Sequence, residues 1–192
     1  MASLAAVIIA GGKATRFGGR YKPLLEVGGV RILDRQLEVL RARFERIIIA
    51  ANEPEPYAYT GLQIVADRRP SAGPSAGLDA AFAATDQSHL FAVAGDMPYL
   101  DVAAVDVLLS ADRDDFDAVA PRVAGYYEPL HALYSRSCAA VVERRLDARR
   151  YKFSGLLTEE ELRVNDVGEE LFRAVDSQLR FLTNINSPAD LS

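Results

Sequence analysis

Chemistry in this chain concentrates in residues 10–23, Ala10-Gly11-Gly12-Lys13-Ala14-Thr15-Arg16-Phe17-Gly18-Gly19-Arg20-Tyr21-Lys22-Pro23. Four glycines fall within nine residues, and four cations (Lys13, Arg16, Arg20 and Lys22) share the segment. Glycine lets the backbone approach a ligand closely and turn its N–H groups inward as an anion nest. The cations suit a polyphosphate. The spacing is not that of a Walker A loop, because Gly12-Lys13 is followed by Ala14 and the preceding glycine is missing. Nor does Gly11-Gly12 supply the Gly-x-Gly-x-x-Gly of a dinucleotide site. Set against phosphate binding is the plainer reading of a flexible Gly/Arg surface loop. A second focus is Gly95-Asp96-Met97-Pro98, directly after the apolar run 90–94. One protruding carboxylate, phosphate oxygens and water are an ordinary way to hold Mg²⁺. Asp96 could equally cap the turn at Met97-Pro98, and both roles are compatible.

The elements that must position these residues follow from hydrophobic patterning. Apolar runs at 5–10, 47–51, 62–66, 90–94 and 118–121 are apolar throughout rather than alternating, which suits strands buried on both faces of a parallel sheet. Between them, 32–44 places Ile32, Leu33, Leu37, Leu40 and Phe44 on one helical face. Segments 77–85 and 102–109 read as further helices, the second with Asp101 as N-cap. Beyond about residue 125, a strand over 128–134 and a helix over 136–146 are expected. Residues 151–176 alternate weakly and suggest a helix plus a short ribbon. Residues 181–192 read as an apolar strand end, then Asn184-Ile185-Asn186-Ser187-Pro188 entering a last helix, with Ser187 as N-cap and Pro188 at its first position. Alternating β and α elements predict a single α/β domain over 1–192, a three-layer α/β/α Rossmann-like arrangement with a mostly parallel sheet. In such a sheet, loops after strands gather at the carboxyl edge, where ligands bind. The glycine-rich loop and Asp96 both fall there.

Composition narrows the partners. The net charge of −5 leaves no basic field for a nucleic-acid backbone, so phosphate must be held locally, as in a small ligand in a pocket. The lone Cys138 allows neither a disulfide framework nor a cysteine zinc site, and that usage fits a reducing compartment. The apolar opening is far too short to span a bilayer and lacks a charged n-region. A cytoplasmic protein that meets neither membrane nor nucleic acid is expected.

The pattern Ala-Gly-Gly-x3-Arg-Phe-Gly-Gly-x2-Lys-Pro resembles the signature of the nucleotidyltransferase superfamily, and most of all the molybdenum cofactor guanylyltransferase family. The likeness continues through Gly73-Pro74-Ser75-Ala76-Gly77-Leu78, Gly95-Asp96-Met97-Pro98-Tyr99-Leu100, Pro129-Leu130-His131-Ala132-Leu133-Tyr134 and Asn184-Ile185-Asn186-Ser187-Pro188. These blocks span nearly the whole chain. The resemblance implies transfer of GMP from GTP to the terminal phosphate of a molybdopterin-type cofactor, with release of pyrophosphate. It implies Mg²⁺ on Asp96 and Asn186. It places the nucleotide on Ile9, Ala10, Gly11, Gly12, Lys22, Asn52, Asp67 and Asp96. Asn52 and Asp67 would meet base and sugar, although each could be a loop Asx turn, and Asn186 a helix-entry residue. Ala10-Gly11-Gly12 is similar to the guanylyl-transferring branch, where cytidylyl-transferring relatives carry Ala-Ala-Gly. Residues from about 125 to 192 would bind the acceptor and close the site, with transient contacts to cofactor-synthesis or acceptor enzymes.

By that likeness Lys22, Arg16 and Asp96 form the catalytic set. An acceptor phosphate is already an anion near neutral pH, so positioning and charge neutralisation suffice without a general base. The segment 128–134, Arg122 and the following basic helix could line the acceptor site. His131 is a candidate contact there, against the commoner role of a structural histidine. His89 and Cys138 read as structural. Arg144, Arg145, Arg149 and Arg150 read as a solvated face. Tyr21 stands where the family commonly has Asp. Other acceptors (a sugar phosphate, cobinamide or phospholactate), or a nucleotide-binding module without turnover, are the competing readings.

Overall fold

The four central residues of the first strand, β1 (Leu4–Ile9), are all buried but face alternate sides, and this sets the layering: Ala6 and Ile8 belong to one apolar cluster, Ala5 and Val7 to another. The structure, a computed structural model, describes residues 3–11, 13–14, 18–69, 71–112 and 115–191. After β1 come two small ribbons. β2 (Lys13–Ala14) pairs with β3 (Arg20–Tyr21), and β4 (Glu26–Val27) with β5 (Val30–Arg31). The second is closed by Gly28 and Gly29 at φ 60° and 77°. A two-residue turn that follows the strand twist needs left-handed backbone at both positions, which glycine supplies without steric cost.

The remaining chain alternates, as the patterning predicts. α1 (Ile32–Arg41), β6 (Arg46–Ala50), β7 (Gln63–Val65), α2 (Pro74–Ala83), β8 (His89–Ala94) and α3 (Val102–Ala111) lead into β9 (Ala118–Val123). Then follow β10 (Tyr126–Tyr127), β11 (His131–Ser135), α4 (Cys138–Asp147), β12 (Val164–Gly168) and α5 (Glu169–Arg173). The main sheet runs β10-β9-β11-β8-β1-β6-β7, with β12 paired to β9. β7, β6, β1 and β8 are parallel neighbours, and β11 reverses direction between β8 and β9. Leu33, Leu37 and Leu40 of α1, Ala104, Val105 and Leu108 of α3 and Phe172 of α5 cover one face. Ala76, Leu78, Ala81 and Phe82 of α2 and Cys138, Val141, Val142 and Leu146 of α4 cover the other. Burying each leucine contributes roughly 2 kcal/mol. Three layers result, helices on both faces of a mostly parallel sheet.

Local chemistry explains the boundaries. The Asp101 carboxylate accepts from the N–H groups of Ala103 and Ala104, so α3 begins where the sequence placed its cap. α2 starts at Pro74 rather than at residue 77, since Gly73 at φ 67° precedes a proline already set for the first helical turn. Four further expectations need correction. The strand expected over 128–134 begins only at His131, because Glu128–Leu130 turn, with the His131 N–H bonded to the Glu128 carbonyl at 3.2 Å. No strand covers Phe181; it lies in a short 3₁₀ turn, Arg180–Leu182. The last segment, Pro188–Leu191, is likewise 3₁₀, held by Asp190, whose carboxylate accepts from the Asn186 and Ser187 N–H groups. Arg145 is not on a solvated face. It is 4% exposed, donating to the Gly155 and Lys152 carbonyls and paired with Glu159. Through it α4 grips residues 152–159, within the segment that alternates only weakly in sequence.

Candidate active site

The carboxyl edge of the parallel strands assembles the site. β1 ends at Ile9, the Ala10 N–H bonds the Ala50 carbonyl at 2.9 Å, and the Ala51 N–H bonds the Val65 carbonyl at 2.8 Å. The Gly95 N–H bonds the Ile9 carbonyl at 2.9 Å, so the turn after β8 lies against the end of β1. Gly95 is there because nothing larger fits: a Cβ would stand 2.7 Å from Pro23 Cγ and 3.2 Å from the Ile9 carbonyl oxygen. That close approach brings Lys22, one residue before Pro23, to Asp96, one residue after Gly95. A cavity of about 140 Å³ opens here, lined by Ala10, Gly11, Lys22, Pro74, Asp96 and Leu130 among others. Neither of two larger hollows is lined by Lys22, Asp96 or Asn186: one lies between α1 and the segment 98–101, another at the opposite, amino edge of the sheet. We place the chemistry in the smaller cavity because the polar groups converge there.

Lys22 Nζ donates to Asp96 Oδ2 at 2.7 Å and to Asn186 Oδ1 at 3.2 Å. The three residues come from parts of the chain 74 and 164 positions apart. Asn186 arrives because the Ile185 N–H bonds the Asp96 carbonyl at 2.9 Å while the Ile185 side chain is wholly buried with Leu25, Val27 and Ile32. Two hard oxygens thus aim at a single cationic atom. That donor set fits a hard divalent cation completed by phosphate oxygens and water. No group of three or more His, Cys, Asp or Glu side chains that could hold a metal occurs among the described residues.

The other expected residues divide. Ile9, Ala10 and Gly11 line the cavity; Gly12 and Arg16 lie outside the described residues, and Lys13 has only its backbone described. Asn52 and Asp67 pair with each other, Asn52 Nδ2 donating to Asp67 Oδ2 at 2.9 Å and the Asp67 N–H to Asn52 Oδ1 at 2.8 Å. They stand at the same strand edge as Ala10, as a preformed side-chain and backbone pair. Tyr21 bonds through its hydroxyl to Glu53 and packs edge-on against Tyr57 at 6.0 Å.

His131 does not face a ligand. It is wholly buried among Phe91, Phe172 and Phe181, with ring centroids 4.7 to 6.4 Å away. The Ala104 backbone approaches it, but neither ring nitrogen has a partner within hydrogen-bond geometry. Burial lowers its pKa to about 3, so the ring is neutral. Cys138 is also structural: its Sγ–H donates to the Asp117 carbonyl at 3.1 Å, and burial pushes the thiol up to about 12. Arg122 bonds Asp166 at 2.7 Å and lies over the Tyr127 ring.

Two residues near the site escaped sequence reasoning. Tyr57 is fully buried and donates to the Ala10 carbonyl at 3.2 Å. Gln36 is fully buried on the core face of α1. The sequence did carry a sign of it, a polar residue inside the Leu33–Leu37–Leu40 stripe.

The end of β1 and the turn after β8 thus bring Lys22, Asp96 and Asn186 together at the carboxyl edge of a mostly parallel sheet. Residues 6–162 match the model of the MobA-like NTP transferase domain, and the chain belongs to that family. It is 30% identical over 191 residues to a molybdenum cofactor guanylyltransferase of Desulfosudis oleivorans, covering 100% of this chain and 94% of the relative. It is 33% identical to a probable molybdenum cofactor guanylyltransferase of Pelotomaculum thermopropionicum, covering 96% and 88%. The crystal structure of molybdopterin-guanine dinucleotide biosynthesis protein A from Archaeoglobus fulgidus superposes with a TM-score of 0.81 at 25% identity, covering 98% of this chain and 94% of that one. No helix of the described residues is long and apolar enough to cross a membrane.

Proposed function

We propose that this chain transfers GMP from GTP to the terminal phosphate of a molybdopterin-type cofactor, releasing pyrophosphate, in the cytoplasm. The observation that carries the reading is the convergence of Lys22, Asp96 and Asn186 at the mouth of the cavity formed by the end of β1 and the turn after β8. Full-length likeness to relatives named molybdenum cofactor guanylyltransferase supports the nucleotide and the acceptor.

In this reading, Lys22 and Arg16 neutralise the triphosphate, and backbone N–H groups of Gly11 and Gly12 orient it. Asn52 and Asp67 meet base and sugar, beside Ile9 and Ala10. Asp96 and Asn186 hold Mg²⁺, which when bound supplies charge neutralisation at the α-phosphate. The acceptor phosphate oxygen attacks the α-phosphorus in line as pyrophosphate leaves; no residue need remove a proton from an oxygen that is already anionic. In this reading the acceptor side of the cavity belongs to residues from about 125 onward, among which Leu130 lines the wall.

The test is pyrophosphate release by the purified protein with Mg²⁺, molybdopterin-type cofactor and GTP, CTP or ATP in turn. GTP-selective release that requires the cofactor is expected. Release with CTP in preference would overturn the nucleotide assignment. Release only with a sugar phosphate or cobinamide in place of molybdopterin would overturn the acceptor. Tight GTP binding without release on any acceptor would leave a nucleotide-binding module.

A further inference from the structure

Gln36 reaches the turn that carries Asp96 at two backbone carbonyls. Three backbone groups of the turn are bonded from other directions. The Ala94 N–H bonds the Leu130 carbonyl, the Gly95 N–H the Ile9 carbonyl, and the Asp96 carbonyl accepts from the Ile185 N–H. The carbonyls of Ala94 and Met97 remain, on residues 7% and 2% exposed, where water cannot serve them. Gln36 Nε2 donates to both, at 2.7 Å and 3.0 Å. A side-chain amide has two N–H bonds on one nitrogen, so one group closes both ends of the turn that carries Asp96. No neutral apolar side chain could, and a hydroxyl has a single hydrogen to give.

The arrangement carries a cost: Gln36 Oε1 is buried without a partner. An orphaned acceptor is disfavoured in a core, so packing alone does not explain a glutamine here. We infer that Gln36 is a positioning residue for the transfer reaction, fixing the Ala94–Met97 turn so that the Asp96 carboxylate meets Asn186 Oδ1 at a single cation. It works through the backbone and touches no substrate. Because α1 also receives the chain after Lys22 (the Ile32 N–H bonds the Leu25 carbonyl at 2.9 Å), one helix sets both the lysine and the carboxylate. This inference rests on Asp96 being the carboxylate that holds the metal.

The test compares Gln36→Met, which keeps length and apolar volume but removes both donors, with wild type. Mn²⁺ binding is titrated by electron paramagnetic resonance in the presence of a GTP analogue with a non-transferable α,β-methylene bridge. Pyrophosphate release is measured against Mg²⁺ concentration. Gln36→Met should weaken Mn²⁺ binding and lower kcat by roughly 10-fold to 100-fold. Binding of the nucleotide without metal should stay as in wild type. Leu108→Ala, a core change under α3 away from the site, controls for lost stability and should leave Mn²⁺ binding unchanged. If Gln36→Met does not fold, Gln36→Asn, an amide one methylene too short to span both carbonyls, is read the same way. A Mn²⁺ titration of the folded variant that superimposes on wild type overturns the inference. Asp96→Asn separates the premises: if it also keeps wild-type Mn²⁺ binding, the metal assignment itself fails, and if it alone loses binding, only the role of Gln36 fails.

Discussion

Lys22 holds two oxygens from distant parts of the chain at one point, and its neighbours are chosen to let it do so. Its pair with Asp96 is partly open, the side chains 27% and 20% exposed, so the ion pair itself contributes at most about 1 kcal/mol to stability. Lys22→Met should therefore melt close to wild type while turnover falls by about two to three orders of magnitude, as loss of a charge-stabilising group does. Steady-state pyrophosphate release beside a thermal melt checks both halves. Wild-type turnover in the folded variant would remove Lys22 from the mechanism. Gly95→Ala should lose stability as well as activity. Its new methyl meets Pro23 at 2.7 Å and the Ile9 carbonyl at 3.2 Å, backbone on one side and a ring on the other. Overpacking of that kind costs about 1 to 3 kcal/mol, to be read by urea denaturation, and it moves Lys22 away from Asp96, so activity falls together with stability.

Individual elements were readable to different depths, and the reason lies in how far each residue's partners are along the chain. The cap of α3 is local chemistry, an Asp with acceptors aimed two and three residues on, so Asp101 was legible. Asp101→Ala should lose about 1 kcal/mol in urea denaturation with turnover per folded molecule unchanged. The buried strands were legible too, since being covered on both faces makes them apolar throughout. Arg145 was not. Its partners lie 7, 10 and 14 residues ahead, beyond the helical repeat, and a basic helix end looks the same whether water or a carbonyl cluster receives it. Removing it leaves Glu159 with a carboxylate 13% exposed, and Arg150 reaching it only from the surface side. Arg145→Met should destabilise by about 3 kcal/mol, lowering the urea midpoint, and protease should cut first within 152–159. The tail misled for a related reason. Its apolar residues Phe181 and Ile185 are buried by tertiary contacts in turns rather than by a strand.

At the scale of the molecule, the reversed strand β11 carries His131 into the core among Phe91 of the sheet, Phe172 of α5 and Phe181 of the 3₁₀ turn. A histidine held at about 3 when folded, against its ordinary value near 6.5, binds its proton only when unfolded across that window. Stability is therefore fully present above about pH 6.5 and drains as pH falls toward 3, with a slope up to about 1.4 kcal/mol per pH unit from this group. His131→Leu should flatten the acid side of a denaturation profile measured from pH 7 to pH 4. An unchanged slope would mean that another group governs it. The convergence at Lys22 was legible only as a set of candidates, because spacing does not say that positions 164 apart meet. That separation has a consequence during synthesis. The glycine-rich loop and Asp96 are translated well before Asn186, and the second oxygen that Lys22 reaches follows every strand of the sheet, so this cluster is the last part of the carboxyl edge to be made.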